Sequence, residues 1–156
     1  MCPLPGIDMK LSVASALSLT FIAMAGAARA VDYASVADSS AILYDAPSIK
    51  AKKMFVVSRY WPMELVVSLD AWVKVRDSSG SLTWIERRAL GSQRFVLVTA
   101  TLAVVRQAPE ENAAVVMQAR QQVALELLES TGTGWLKVRH ADGLTGYIKT
   151  ADVWGD

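Results

Sequence analysis

From Ala41 to Ile148 the chain is a succession of short apolar runs broken by polar turns, and most of the runs alternate with a period of two. Ala41-Ile42-Leu43-Tyr44 is stopped by Asp45-Ala46-Pro47, and Phe55-Val56-Val57 follows the lysine loop Lys50–Lys53. Glu64 to Leu69 is rich in β-branched residues, as strands are. In Trp72-Val73-Lys74-Val75-Arg76 large apolar and charged side chains alternate as on a half-buried strand. Asp77-Ser78-Ser79-Gly80 then reads as a hairpin loop, with Thr83-Trp84-Ile85 as the return strand.

The same order follows again. Thr101–Val105, Val115–Met117, Val123–Leu128, Trp135–Arg139 and Gly146–Ile148 are the expected strands, and Arg94–Ala100 is the junction before them. Trp135-Leu136-Lys137-Val138-Arg139 matches Trp72 to Arg76 at a spacing of 63 residues, and Gly143 and Tyr147-Ile148 match Gly80 and Trp84-Ile85 at the same spacing. Ala108-Pro109 matches Ala46-Pro47 at a spacing of 62. Such a period means that one small fold was duplicated. Gln118–Leu128 has the composition of a helix, but its counterpart Glu64–Leu69 argues for strand. Five short strands with tight turns, twice, make an all-β chain of two tandem small β-barrels. The expected division is a leader at residues 31–38, a first domain at 39–93 and a second at 94–156.

The first thirty residues have a different character. Lys10 precedes an apolar, small-residue run from Leu11 to Ala28 that closes on Ala28-Arg29-Ala30. A cation, a short apolar stretch and an A-x-A ending describe a secretory signal peptide at residues 1–30. Met9 is the expected start, because Pro3, Pro5 and Gly6 interrupt the segment after Met1. An uncleaved anchor would need about 20 strongly apolar residues, and this run is diluted by Ser, Thr, Gly and Ala. Cleavage after Ala30 removes Lys10, Arg29 and Asp8, leaving 14 cationic and 14 acidic residues. A formally neutral chain lacks the global positive field that non-specific nucleic-acid binding draws on, and no membrane span remains. The only cysteine, Cys2, is removed as well. A periplasmic or secreted protein without disulfides must be held by its cores.

Gly134-Trp135-Leu136-Lys137-Val138-Arg139, the Asp142-Gly143 turn and Gly146-Tyr147-Ile148 resemble the bacterial SH3-like domain of exported and cell-wall-associated proteins. With the first copy, the resemblance covers residues 39–154 as two tandem SH3-like β-barrels. It implies binding of cell-wall peptides, peptidoglycan among them, or of protein partners in the envelope. Leu43-Tyr44-Asp45 resembles the aromatic start of eukaryotic SH3 domains, but the acidic loop and later proline of a proline-rich-peptide binder are absent.

Chemistry is constrained by elimination. The single histidine, His140, has Asp142 two residues on, at a hairpin turn where a solvated polar pair suffices as explanation. One histidine without cysteine cannot supply a zinc cluster, and Gly132-Thr133-Gly134 leads into a strand rather than a helix N-terminus. No cofactor, metal or enzymatic activity is expected. For binding, rings give contact area at low entropic cost. The candidate residues are Tyr44, Tyr60, Trp61, Trp72 and Trp84 in the first unit and Trp135 and Tyr147 in the second. Trp72 and Trp135, whose flanks repeat, also fit shared framework. Tyr60-Trp61 faces Gln121-Gln122 in the second copy, which points to an exposed patch. Lys50, Lys52, Lys53 and Arg59 form a basic patch suited to an acidic partner, and Glu110, Glu111, Glu126 and Glu129 give the second unit the opposite polarity, a basis for docking the units. Three roles fit: an envelope binding module, a scaffold subunit whose aromatics pack between domains or in a homodimer, and a targeting accessory to a wall hydrolase.

Overall fold

The computed structural model describes residues 31–156; the signal segment, Cys2 and the expected start at Met9 lie outside the described residues. The first unit consists of β1 (Tyr33–Val36), β2 (Ser40–Tyr44), β3 (Lys53–Ser58), β4 (Pro62–Ser68), β5 (Trp72–Arg76), β6 (Leu82–Glu86), a 3-10 turn at Arg87–Ala89 and β7 (Leu90–Gly91). The second consists of β8 (Phe95–Val98), β9 (Leu102–Arg106), β10 (Val115–Arg120), β11 (Ala124–Ser130), β12 (Trp135–Arg139), β13 (Thr145–Lys149), a 3-10 turn at Thr150–Asp152 and β14 (Val153–Trp154). Among the described residues no helix is long and apolar enough to cross a membrane.

The duplication extends further than the sequence motifs suggest. β1 to β4 recur at an offset of 62 and β5 to β7 at 63, the extra residue lying in the β11–β12 turn, Thr131–Gly134 against Leu69–Ala71. The leader of residues 31–38 is corrected accordingly, because Tyr33–Val36 is a strand paired with both β4 and β7. The junction Arg94–Ala100 likewise contains β8, buried along its whole length. Gln118–Leu128 is strand on either side of a turn, as the repeat requires.

Each unit is one antiparallel sheet, in the orders β3-β2-β6-β5-β4-β1-β7 and β10-β9-β13-β12-β11-β8-β14. Closed barrels of five strands were expected; the sheets instead have seven strands and two free edges. β7 and β14 are two residues long and pair only with β1 and β8, too little backbone to bridge to the far edge. Closure is achieved by side chains. Val36, Leu43, Met63, Val73, Val75 and Ile85, from five strands, meet in one core, so the sheet curls over its own inner face. The second core uses Val98, Val105, Leu125, Leu136, Val138 and Ile148 at the matching positions. Fully burying such a side chain contributes roughly 1.5–3 kcal/mol.

The two cores differ where β6 and β13 cross. A Cβ at Gly146 would lie 2.6 Å from the Arg106 carbonyl oxygen and from Val105 Cγ1. Its counterpart Thr83 is buried, and its hydroxyl makes no hydrogen bond among the described residues. Gly146→Ala is expected to destabilise by about 1–3 kcal/mol through overpacking. Thr83→Val is expected to stabilise by about 1 kcal/mol, since it removes an unpaired buried hydroxyl at nearly constant shape. Denaturant titrations of both variants check the opposite signs.

Candidate functional site

Tyr44, the last residue of β2, sits opposite Trp84 on β6 and opposite Lys53 on β3. Trp72 opens β5 and meets Tyr44 edge to face, with ring centres 5.3 Å apart and planes at 86°. Lys74 places its ammonium 5.9 Å from the centre of the Trp84 ring. Three candidate aromatics thus form one cluster. Tyr44 lies within it rather than on a loop, only 4% exposed, while Trp72 and Trp84 are half-buried and carry the accessible ring area. A shallow cavity of about 300 Å³ adjoins them, lined by Asp70, Ala71, Glu86, Arg87 and Arg88. Its wall is firmly tied: Arg87 donates to the Asp70 carbonyl at 2.8 Å and to the Leu69 carbonyl at 2.5 Å, and Arg88 pairs with Glu86 at 2.8 Å.

The basic patch divides. Lys50, Lys52 and Lys53 are exposed beside this cluster, and among the described residues none of them forms an ion pair. Arg59 lies beyond the other end of β3, donates Nε to the Ala37 carbonyl at 2.7 Å and covers the Tyr60 ring.

The second unit has a different surface at the same place. Arg106 replaces Tyr44, pairs across to Tyr147 and donates to the Ala113 carbonyl at 2.8 Å. Tyr147 is half-buried, whereas Trp135 is buried with the Lys149 ammonium 5.8 Å from its ring centre, the placement that shared framework would give it.

Tyr60 and Trp61 part company. Trp61 packs against the first core. Tyr60 has a positive φ of 73° and donates its N–H to the Val36 carbonyl; Gln122, at φ 67°, donates to Val98 in the same way. The true counterparts are therefore Gln122 and Val123, one position on from the sequence alignment. Val123 packs on the second core as Trp61 does on the first, so the larger Trp61 takes a framework place and, only partly buried, also presents ring area to a groove.

The Tyr60 ring, still 38% exposed, stacks on Phe95 of the second unit at 4.3 Å and 23°. Tyr33 meets Trp154 edge to face at 5.3 Å, and Arg94 covers Tyr33 while donating to the Gly155 carbonyl at 2.8 Å. Phe95 N–H donates to Ser35 Oγ at 3.1 Å. Every ion pair among the described residues stays within one unit, so aromatic packing and hydrogen bonds dock the units and opposite polarity does not. Tyr33, Phe95 and Trp154 escaped the sequence reading; the offset of 62 between Tyr33 and Phe95 was the signal available. Tyr60, Trp61 and Trp84 share no described cleft. Tyr60 lines two junction clefts of about 310 and 260 Å³, and Trp61 a separate groove.

Beside the junction, the Glu126 carboxyl is held below the ordinary carboxylate range by the Gln93 amide at 2.7 Å and by Arg139 at 2.7 Å. His140 Nδ1 and Asp142 Oδ1 are 2.9 Å apart on an exposed hairpin, and the Leu144 N–H, followed by His140, lowers the Asp142 carboxyl.

A group whose pKa is depressed on folding stabilises above the ordinary carboxylate range, and that contribution is lost as pH falls through the depressed value. Glu126→Gln is therefore expected to flatten the acid limb of a plot of melting temperature against pH. Tyr60→Ala is expected to cost about 0.5–1.5 kcal/mol beyond area lost, the worth of an aromatic pair, and to separate the melting of the two units in calorimetry.

Solved structures similar to this chain include NlpC2 of Trichomonas vaginalis (11% identity, 81% of this chain and 49% of that one, TM-score 0.37) and NlpC1 of the same organism (12%, 81% and 46%, TM-score 0.38). An NlpC/P60 family protein of Bacillus cereus ATCC 10987 is 17% identical over 79% of this chain and 56% of that one, with a TM-score of 0.37. The chain spans about half the length of each. Comparison with curated proteins returns no match. Residues 37–91 and 99–155 each match the bacterial SH3 domain, and with well over half its length so matched the chain belongs to the bacterial SH3 domain family.

Proposed function

We propose that this chain is an exported, non-enzymatic binding module of the cell envelope, periplasmic or secreted, whose first unit recognises a peptide or protein partner, cell-wall peptide included. The observation that carries the reading is the convergence of Tyr44, Trp72 and Trp84 beside the unpaired lysines of the β2–β3 loop. Half-buried tryptophans held by rigid neighbours lose little entropy on binding. The Lys50–Lys53 loop adds short-range attraction for carboxylates, within a Debye length of about 8 Å at physiological salt. The second unit, with Arg106 in place of Tyr44, has kept the framework and not this surface. The division into two domains near residue 93 belongs to the same reading, with the first domain begun at β1 rather than at residue 39, as does cleavage of a signal peptide after Ala30.

The scaffold reading has its own support in the aromatics packed between the units, Tyr60 on Phe95 and Tyr33 on Trp154. In this reading they make the tandem a rigid pair and leave the Trp72–Trp84 face free.

Co-sedimentation with purified peptidoglycan is the test. The wild type is expected in the pellet, and Trp84→Ala, folded by circular dichroism, at least about tenfold less so, a loss of about 1.4 kcal/mol. Absence of both proteins from the pellet removes the wall polymer as ligand. Equal retention of both removes the aromatic face.

A further inference from the structure

Strand β3 forms one free edge of the first sheet, as β10 does of the second. The edges have the same length and the same irregularity of register near their start, yet their side chains differ. β3 reads Lys-Met-Phe-Val-Val-Ser and exposes Met54, Phe55 at 53% and Val56 at 70%. β10 reads Val-Val-Met-Gln-Ala-Arg and exposes Val115 at its start but Gln118 and Arg120 in its latter half. An edge strand offers a row of unpaired N–H and C=O groups, and proteins normally blunt such edges with charge or proline. In β3 the centre is apolar, and the charges stand at its ends, Lys50 and Lys52 before it, Lys53 as its first residue and Arg59 after it.

That arrangement selects among occupants. A second copy of β3 would bring lysine against lysine if parallel, and lysine against Arg59 if antiparallel, so like charges oppose self-pairing in both orientations. A strand carrying carboxylates meets attraction in either orientation. Beside the edge runs a groove of about 280 Å³ lined by Leu43, Phe55, Val57, Trp61, Ser79 and Ser81 among others. Its far wall is rigid, because Asp77 Oδ1 accepts hydrogen bonds from the backbone N–H groups of Ser79, at 2.8 Å, and Ser81, at 3.0 Å, and from the Ser79 hydroxyl. Side chains of an added strand alternate between faces, so every second residue of the occupant would fall into this groove. It is apolar on the side of Leu43, Phe55, Val57 and Trp61 and polar on the side of Asp77, Ser79 and Ser81, which suits apolar side chains at the centre of the occupant and keeps its carboxylates at the ends.

We propose that the β3 edge is a second binding surface, which shares the Lys50–Lys53 loop with the Trp72–Trp84 face but not its rings, and that it takes an extended acidic peptide segment by adding it as an eighth strand. The segment carries apolar residues at alternate positions and carboxylates at its ends. Backbone hydrogen bonds to β3 hold it, the groove between β3 and the Asp77–Ser81 turn takes its alternate side chains, and the lysines around the start of β3 fix its charge.

The probe is the synthetic peptide acetyl-Glu-Glu-Val-Thr-Val-Thr-Val-Glu-amide, titrated into the purified protein and followed by calorimetry and Trp fluorescence. Its partners in the test are a version with lysine for every glutamate and a version N-methylated at alternate residues. Binding is expected for the acidic peptide alone, with a loss of at least about tenfold for the lysine and the N-methylated peptides. Lys52→Glu/Lys53→Glu, folded by circular dichroism and with an unchanged melt, is expected to lose at least about tenfold, whereas Trp84→Ala binds as the wild type does. Equal binding of acidic and lysine peptides overturns the charge assignment, and unchanged binding after N-methylation overturns strand addition. Loss of binding in Trp84→Ala, whatever the double variant does, assigns the peptide to the aromatic face and overturns the second surface. Concentration-dependent dimerisation of the wild type in sedimentation velocity, abolished by Val56→Lys, identifies the occupant as another copy and overturns the proposal.

Discussion

A sheet of about sixty residues with no disulfide has a single face with which to hold itself, and the molecule is arranged around filling it. Seven strands supply one inward side chain after another, and the sheet bends until Val36, Leu43, Met63, Val73, Val75 and Ile85 touch. The backbone ladder need not close for that to happen, and it does not. What the hydrogen-bond ring of a true barrel would do for the edges is left undone, so β3 and β10 stay open to solvent. Their openness is a direct consequence of how few residues remain for β7 and β14.

A unit of this size buries only about 60% of the surface its unfolded chain exposes and is marginal alone. The junction makes up part of that deficit. Phe95 begins β8 as a core residue and also carries the Tyr60 ring on its face. Ser35, buried at the end of β1, receives the N–H of Phe95, which satisfies two polar groups that the docking would otherwise strand. None of these contacts repeats between the copies, since Tyr60 and Trp154 correspond to Gln122 and Gly91. The framework residues are thus shared, and of the rings that dock the units only Tyr33 and Phe95 correspond between the copies, each meeting a partner the other copy lacks.

Trp72–Arg76 and Trp135–Arg139 were legible because they are half-buried, so the two-residue period of the sheet is written directly in their side chains. β8 was not, because its four residues are buried on both faces, by its own core and by the first unit, and a strand covered on both sides has no alternation to read. β1 was hidden by its small residues, and β7 and β14 by their length. The candidate site was legible in kind and not in arrangement. Tyr44 follows Leu43 along β2 and so has opposite parity to that core residue; it is buried on the outer face, by Trp72 and not by the core. Single-strand periodicity carries no information about a neighbour two strands away. Trp61 misled for the converse reason: an aromatic with no aromatic counterpart proved to fill the place that Val123 fills in the other core.

Duplication explains why such mismatches accumulate where they do. Once two copies share a fold, positions that shape the core are constrained in both, and Met63 with Leu125 or Val73 with Leu136 exchange only within the volume the core allows. The outer ends of the strands carry no such constraint. There one copy has Tyr44 and a lysine loop and the other Arg106 and a glutamate pair, although both backbones run the same course. The same holds for the free edges, apolar through the centre and flanked by cations in β3, carrying exposed Gln118 and Arg120 in the latter half of β10. A backbone held by its inner face is free to diverge on its outer one, and the first unit is where that freedom has produced aromatic surface, unpaired charge and an open edge together.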